Sequence, residues 1–149
     1  MGLISNGTTV FDAGSMASGF GGSMVFIKKL TASGSANLTF HNGTSNVILD
    51  STYKEYLFTF KNIHLASNTS FNFQVNAVGA SGFNETISST SFFMRHAENG
   101  DGDQLSYSAA NDQAQGTAFQ RLATDQGTGN DENMGGFLRL FNPASTTFV

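Results

Sequence analysis

The sequence predicts an all-β fold, an antiparallel, jelly-roll-like β-sandwich over residues 24–149, preceded by an extended Gly-rich N-terminal arm over residues 1–23. Three observations predict it. Gly, Ser, Thr and Asn supply 63 of the 149 residues, and these types favour turns over helix interiors. Fifteen Phe and three Tyr provide apolar mass that a disordered chain lacks. Apolar residues recur at period two in short runs, with turn signals about every 8–12 residues between them.

The elements follow in chain order. Residues 1–23 mix Gly2, Gly7, Gly14, Gly19, Gly21 and Gly22 with scattered Val10, Phe11, Met16 and Phe20. No regular element is expected there. The segment reads as an arm that docks through those four apolar residues, and a frayed terminus is the competing reading. Strands are expected at 24–30, at 36–40 with Leu38 and Phe40 on one face, at 46–49, and at 53–60 with Tyr56, Phe58 and Phe60 at period two. In 71–78, Phe71, Phe73, Val75 and Ala77 alternate with Asn72, Gln74 and Asn76, the pattern of a half-buried strand. Further strands are expected at 91–97, 104–107, 117–122 and 137–141, with another beginning at 146–149. Turn signals separate these runs at 41–43, 66–68, 79–82, 99–102, 127–129 and 135–136. The run NDQAQGTAFQ at 111–120 offers at most one helical turn, interrupted by Gly116.

Two positions point outward. Phe92-Phe93 places one ring on each face of its strand, and Leu57 lies between Tyr56 and Phe58. A strand apolar on both faces needs a neighbour on both. A homo-oligomer is therefore expected, a trimer among the forms it can take.

Charge narrows the function. The net charge is −4. Residues 1–75 carry four Lys against Asp12, Asp50 and Glu55, whereas residues 76–149 carry three Arg against eight acids. With no basic cluster, nucleic acid is not an expected partner. No segment reaches the roughly 18 apolar residues of a membrane helix, and a membrane is not an expected partner either. The opening MGLISNGTTV lacks the basic and apolar regions of a signal peptide. It misses a myristoylation motif at Asn6, where Ser or Thr is required. Synthesis in a cytoplasm is expected. The absence of Cys excludes disulfides and thiolate metal sites.

Candidate chemistry is sparse. His41, His64 and His96 show neither HxH nor HExxH spacing. The run GFGGS at 19–23 lacks the strand–turn–helix setting of a nucleophile elbow and reads as a linker. Glu98, Asp101 and Asp103 crowd one Gly-rich loop. Hard cations want several oxygens from such a loop, but the EF-hand spacing is absent and a solvated loop explains the cluster. No cofactor is expected. If a Ca²⁺ binds, Asp101 and Asp103 are the first candidates. Tyr107, Asn111 and Asp112 group an aromatic ring with amide and carboxylate, as a glycan contact requires. Asn6, Asn37, Asn42, Asn68 and Asn84 begin N-x-[ST] triplets, expected by chance in this composition and bare without a secretory signal.

Longer stretches carry a resemblance. The opening MGLISNGTTVFDAGSMASGFGGSMVFIKKLTASGSANLTF, the run LDSTYKEY at 49–56, the run DQAQGT at 112–117 and the ending LFNPASTTFV at 140–149 resemble a family of virion structural proteins of marine bacteriophages, including cyanophages. The similarity covers nearly the whole chain. The resemblance implies a place on the exterior of a virus particle, as a capsid decoration or cement protein or a tail appendage or fibre, with other virion proteins as partners. It brings no catalytic residues, and the chain is not expected to be an enzyme. It implies continuation past Val149, where this sequence stops and leaves the last half-sheet in question. The alternative expectation is a tail-associated receptor-binding module for a host surface glycan. A tail depolymerase would need paired carboxylates facing a cleft, whereas the acids here cluster in Gly-rich loops.

Overall fold

The computed structural model describes residues 3–6, 8–12, 15–16 and 24–147. They form nine strands and no helix: β1 (Leu3–Ser5), β2 (Thr8–Asp12), β3 (Ser15–Met16), β4 (Glu55–Ile63), β5 (Thr69–Phe73), β6 (Phe92–Arg95), β7 (Gln104–Tyr107), β8 (Gln120–Gln126) and β9 (Met134–Phe141). The chain is all-β. The strands pair as one three-stranded sheet, β1-β2-β3, and three two-stranded ladders, β4-β9, β5-β8 and β6-β7. The β1-β2, β2-β3, β5-β8 and β6-β7 pairs are antiparallel. The chain divides into one unit of Met1–Leu57 with Arg139–Val149 and a second of Phe58–Leu138.

Within the first unit, the segment expected to lack regular structure holds the three-stranded meander. Ser5 pairs with Thr8, and Asn6 between them takes φ 48°. Asn-Gly is the pair that a two-residue hairpin favours, because both central residues need positive φ. Of the proposed arm contacts, Val10 and Phe11 fall in β2 and Met16 in β3. Their side chains, and all of Phe20, lie outside the described residues. The expected strands at 24–30, 36–40 and 46–49 do not form. Residues 41–47 close on themselves instead. The Gly43 amide donates to the Val47 carbonyl at 2.9 Å, and the Thr44 and Val47 amides donate to His41 and Thr44. Ser45 and Asn46 sit at φ 53° and 64°, a left-handed pair that no strand accommodates. Val47 and Tyr56 are the unit's buried hydrophobics among the described residues. Tyr53 meets Tyr56 edge-on at 5.9 Å, and the Tyr56 hydroxyl donates to the Asp50 carbonyl at 2.9 Å.

Side-chain amides make recurrent hydrogen bonds through the second unit. Its described residues include one buried side chain, Gln74. Its Nε2 lies 3.1–3.2 Å from the carbonyls of Glu85, Thr117 and Ala118, with its two N–H groups shared among the three, and its Oε1 accepts the Val75 amide at 2.8 Å. These bonds replace ladder bonds, so the strand expected over 71–78 ends at Phe73. Ser89 Oγ donates to Gln120 Oε1 at 2.6 Å and accepts the Gln113 amide at 2.9 Å. The helical turn entertained at 111–120 does not form. Gly116 exchanges both backbone bonds with Ile87, and a Cβ there would run into the Gln113 carboxamide. Phe60 and Phe71 supply one edge-on aromatic pair at 4.9 Å. No strand forms over 146–147.

Candidate functional site

The turn after β7 and the approach to β8 come together in the second unit. The Asn111 amide donates to the Ser108 carbonyl at 3.0 Å, and its side-chain amide to Ser108 Oγ at 2.9 Å. That local cap turns the chain back after Tyr107. Gln120 anchors the other side by donating to the Asn111 carbonyl at 2.7 Å. Between them lies a hollow of about 170 Å³ lined by Asn111, Asp112, Gln113, Phe119 and Arg121 together with Ala110 and Ala118.

Its groups are chemically varied. The Tyr107 hydroxyl donates to Asp112 Oδ2. The Arg121 guanidinium donates to Asn111 Oδ1 at 3.2 Å and more weakly to the Ala110 carbonyl at 3.5 Å. The Phe119 ring is half exposed. A flat apolar ring beside a guanidinium, an amide and a carboxylate can take a ligand with one apolar face and a rim of hydroxyls. Asp112 is the one carboxylate of this lining, so the hollow itself holds no acid–base pair of the glycosidase kind.

The structure thus joins Tyr107, Asn111 and Asp112, the residues singled out for glycan contact. Sequence reasoning missed Phe119 and Arg121. Phe119 read as one more apolar position in a strand over 117–122, but β8 begins at Gln120. Nothing in the spacing told that Arg121 would reach back ten residues.

Asp101 and Asp103 are not assembled as a cation site. Asp101 accepts from the Asn99 side chain at 3.0 Å while its own amide donates to Asn99 Oδ1 at 3.1 Å. This closes a self-contained Asx turn. Asp103 instead lies 3.6 Å from His96, with both groups largely exposed. Among the described residues, no three His, Cys, Asp or Glu side chains gather as metal ligands. His64 Nε2 is 2.6 Å from the Gly129 carbonyl. A second hollow, of about 300 Å³, lies in the first unit among Asp50, Tyr53, Lys54, Asn142 and Ser145. There Thr52 holds the Asp50 carboxyl below its ordinary 3.8 through side-chain and backbone hydrogen bonds.

The chain matches no protein-family model, no curated protein and no solved structure.

Proposed function

We propose that this chain is a structural protein of the exterior of a bacteriophage particle, a capsid decoration protein or a tail appendage, which acts by packing against other virion proteins and copies of itself. The observation that carries the reading is the mismatch between apolar content and burial. Among the described residues only Val47 and Tyr56 are buried hydrophobics, whereas Phe26, Val78, Phe92, Met94, Leu105 and Phe137 are each more than half exposed. Two-stranded ladders are marginal alone and gain stability when their apolar faces are covered. A protein whose work is assembly leaves such faces for its neighbours. Low charge favours the same reading, since neutral polar surfaces pack side by side without repulsion. The resemblance to virion structural proteins supplies the particle. In this reading the ladders meet face to face as a jelly-roll-like sandwich in the assembled state.

Cryo-electron microscopy of intact particles, with mass spectrometry for copy number, tests the proposal. Hundreds of copies on the shell give a decoration or cement role, and a few copies at the tail give an appendage. Absence from particles overturns the reading.

One observation favours a second reading, a receptor-binding module for a host glycan. It is the meeting of Phe119, Arg121, Asn111 and Asp112 around one hollow. Glycan-array binding that is lost in Phe119→Ala supports it, and an array without signal refutes it.

A further inference from the structure

The β6-β7 ladder has two unlike faces. In its register Phe92 pairs with Tyr107, Phe93 with Ser106, Met94 with Leu105 and Arg95 with Gln104. Directly paired residues share a face, and successive residues alternate. One face therefore carries Phe93, Arg95, Gln104 and Ser106. On it the Arg95 guanidinium lies 5.9 Å from the Phe93 ring centre, and Arg95 Nε donates to the Gly102 carbonyl at 3.2 Å. The other face carries Phe92, Met94, Leu105 and Tyr107 alone. These four are 68%, 83%, 74% and 46% exposed.

We propose that this second face is a self-association surface, covered by the same face of a second copy. The inference rests on the reading of the chain as a packing protein and names the partner of one of its faces. Three observations commit it to a second copy. The face bears no ionisable acid or base, apart from a phenol already donating to Asp112, so two copies meet without like-charge repulsion. Side chains of this size carry about 150–250 Å² each, so at these exposures the face presents on the order of 500 Å² of apolar area. Two copies then cover about 1,000 Å², where specific interfaces begin, before any polar rim is counted. The two ends of the ladder are also complementary. Phe92 and Tyr107 stack edge-on at 5.4 Å at one end, and flexible Met94 and Leu105 occupy the other. Copies crossing in opposite directions set thioether against ring edge.

Analytical ultracentrifugation of the full chain from 1 to 100 µM tests this, with circular dichroism as the check of folding. Wild type is expected to associate. Met94→Lys is expected to weaken association by about 30-fold or more, the effect of burying a charge at an interface centre. Gln104→Lys, on the other face, is expected to leave it unchanged. A measurement on wild type needs no variant: peroxide oxidation of Met94, read by mass spectrometry, should slow with protein concentration, while exposed Met24 oxidises at a constant rate. A monomer throughout, or Met94 oxidising like Met24 at every concentration, overturns the proposal. So does association that Met94→Lys leaves intact, although the packing reading then survives through another face. A monomer with Met94 protected at every concentration means that the chain covers the face itself, which also overturns self-association. Absence of the protein from particles strikes the virion reading alone.

Discussion

Single residues decide much here, because few are buried. Gln74 is the clearest case. Its carboxamide serves three carbonyls and one amide, and removing it strands those groups. Gln74→Leu should cost about 1–3 kcal/mol, the penalty for unpaired polar groups away from water, read from urea unfolding. Gln74→Glu should cost more at neutral pH, since a carboxylate would face three carbonyl oxygens with no proton to donate. Asp50 acts through charge. Its folded pKa lies below 3.8 because Thr52 donates to it. A depressed carboxyl contributes stability above its unfolded pKa and loses it as pH falls through the folded value. The Asp50 to Thr52 turn should therefore loosen only below about pH 4. In Asp50→Asn that acid step should vanish, as amide exchange at Thr52 would show. Tyr107 has two roles that one atom separates. Tyr107→Phe keeps the apolar face and removes the Asp112 tether, so it should spare self-association and weaken glycan binding at the hollow.

At the scale of elements, the β5-β8 ladder shows how register is tuned. Phe71 pairs with Ala123 while Thr69 pairs with Gln126, so β8 holds one residue more than its partner over that stretch. Asp125 absorbs it at φ 56°. A β-bulge of this kind suits glycine, and an L side chain is strained there. Asp125→Gly should stabilise the protein by about 0.5–1 kcal/mol, and Asp125→Val should destabilise it by more. Denaturant midpoints would show the opposite signs. The arm is an element of another kind. Its deletion, residues 1–23, should abolish incorporation into particles while the circular dichroism of the remaining strands persists. Incorporation of the truncated chain would dismiss the arm.

For the whole molecule, the proposed assembly would tie stability to protein concentration. If apolar faces are completed by other copies, the apparent melting temperature must rise with protein concentration, as binding to the folded state requires. Calorimetry over a hundredfold range of concentration should show that rise in wild type and its loss in Met94→Lys. The proposed assembly would also account for a composition rich in Phe beside described residues that include two buried hydrophobics. The rings suit an assembled state, where area removed from water is shared between chains.

Composition and alternation alone determined that this protein is all-β. Helix-poor residue types and period-two runs exclude the helical alternatives locally, without any distant partner. They also located β7 to the residue, placed β4, β6 and β9 within a few, and set Phe92 and Phe93 on opposite faces, because alternation is a property of the strand itself. Only the tertiary structure decided which runs find a ladder. Residues 24–30, 36–40 and 46–49 read as strands and are not, since a strand exists only by pairing and local pattern does not name a partner. Asn6-Gly7 carries a hairpin signal even inside a Gly-rich stretch. The hollow was half legible. Tyr107, Asn111 and Asp112 are neighbours in sequence, whereas Phe119 and Arg121 join them through Gln120 and the Asn111 carbonyl. The cap between Ser108 and Asn111 is local, but which returning segment meets it is a matter of pairing that local pattern does not name.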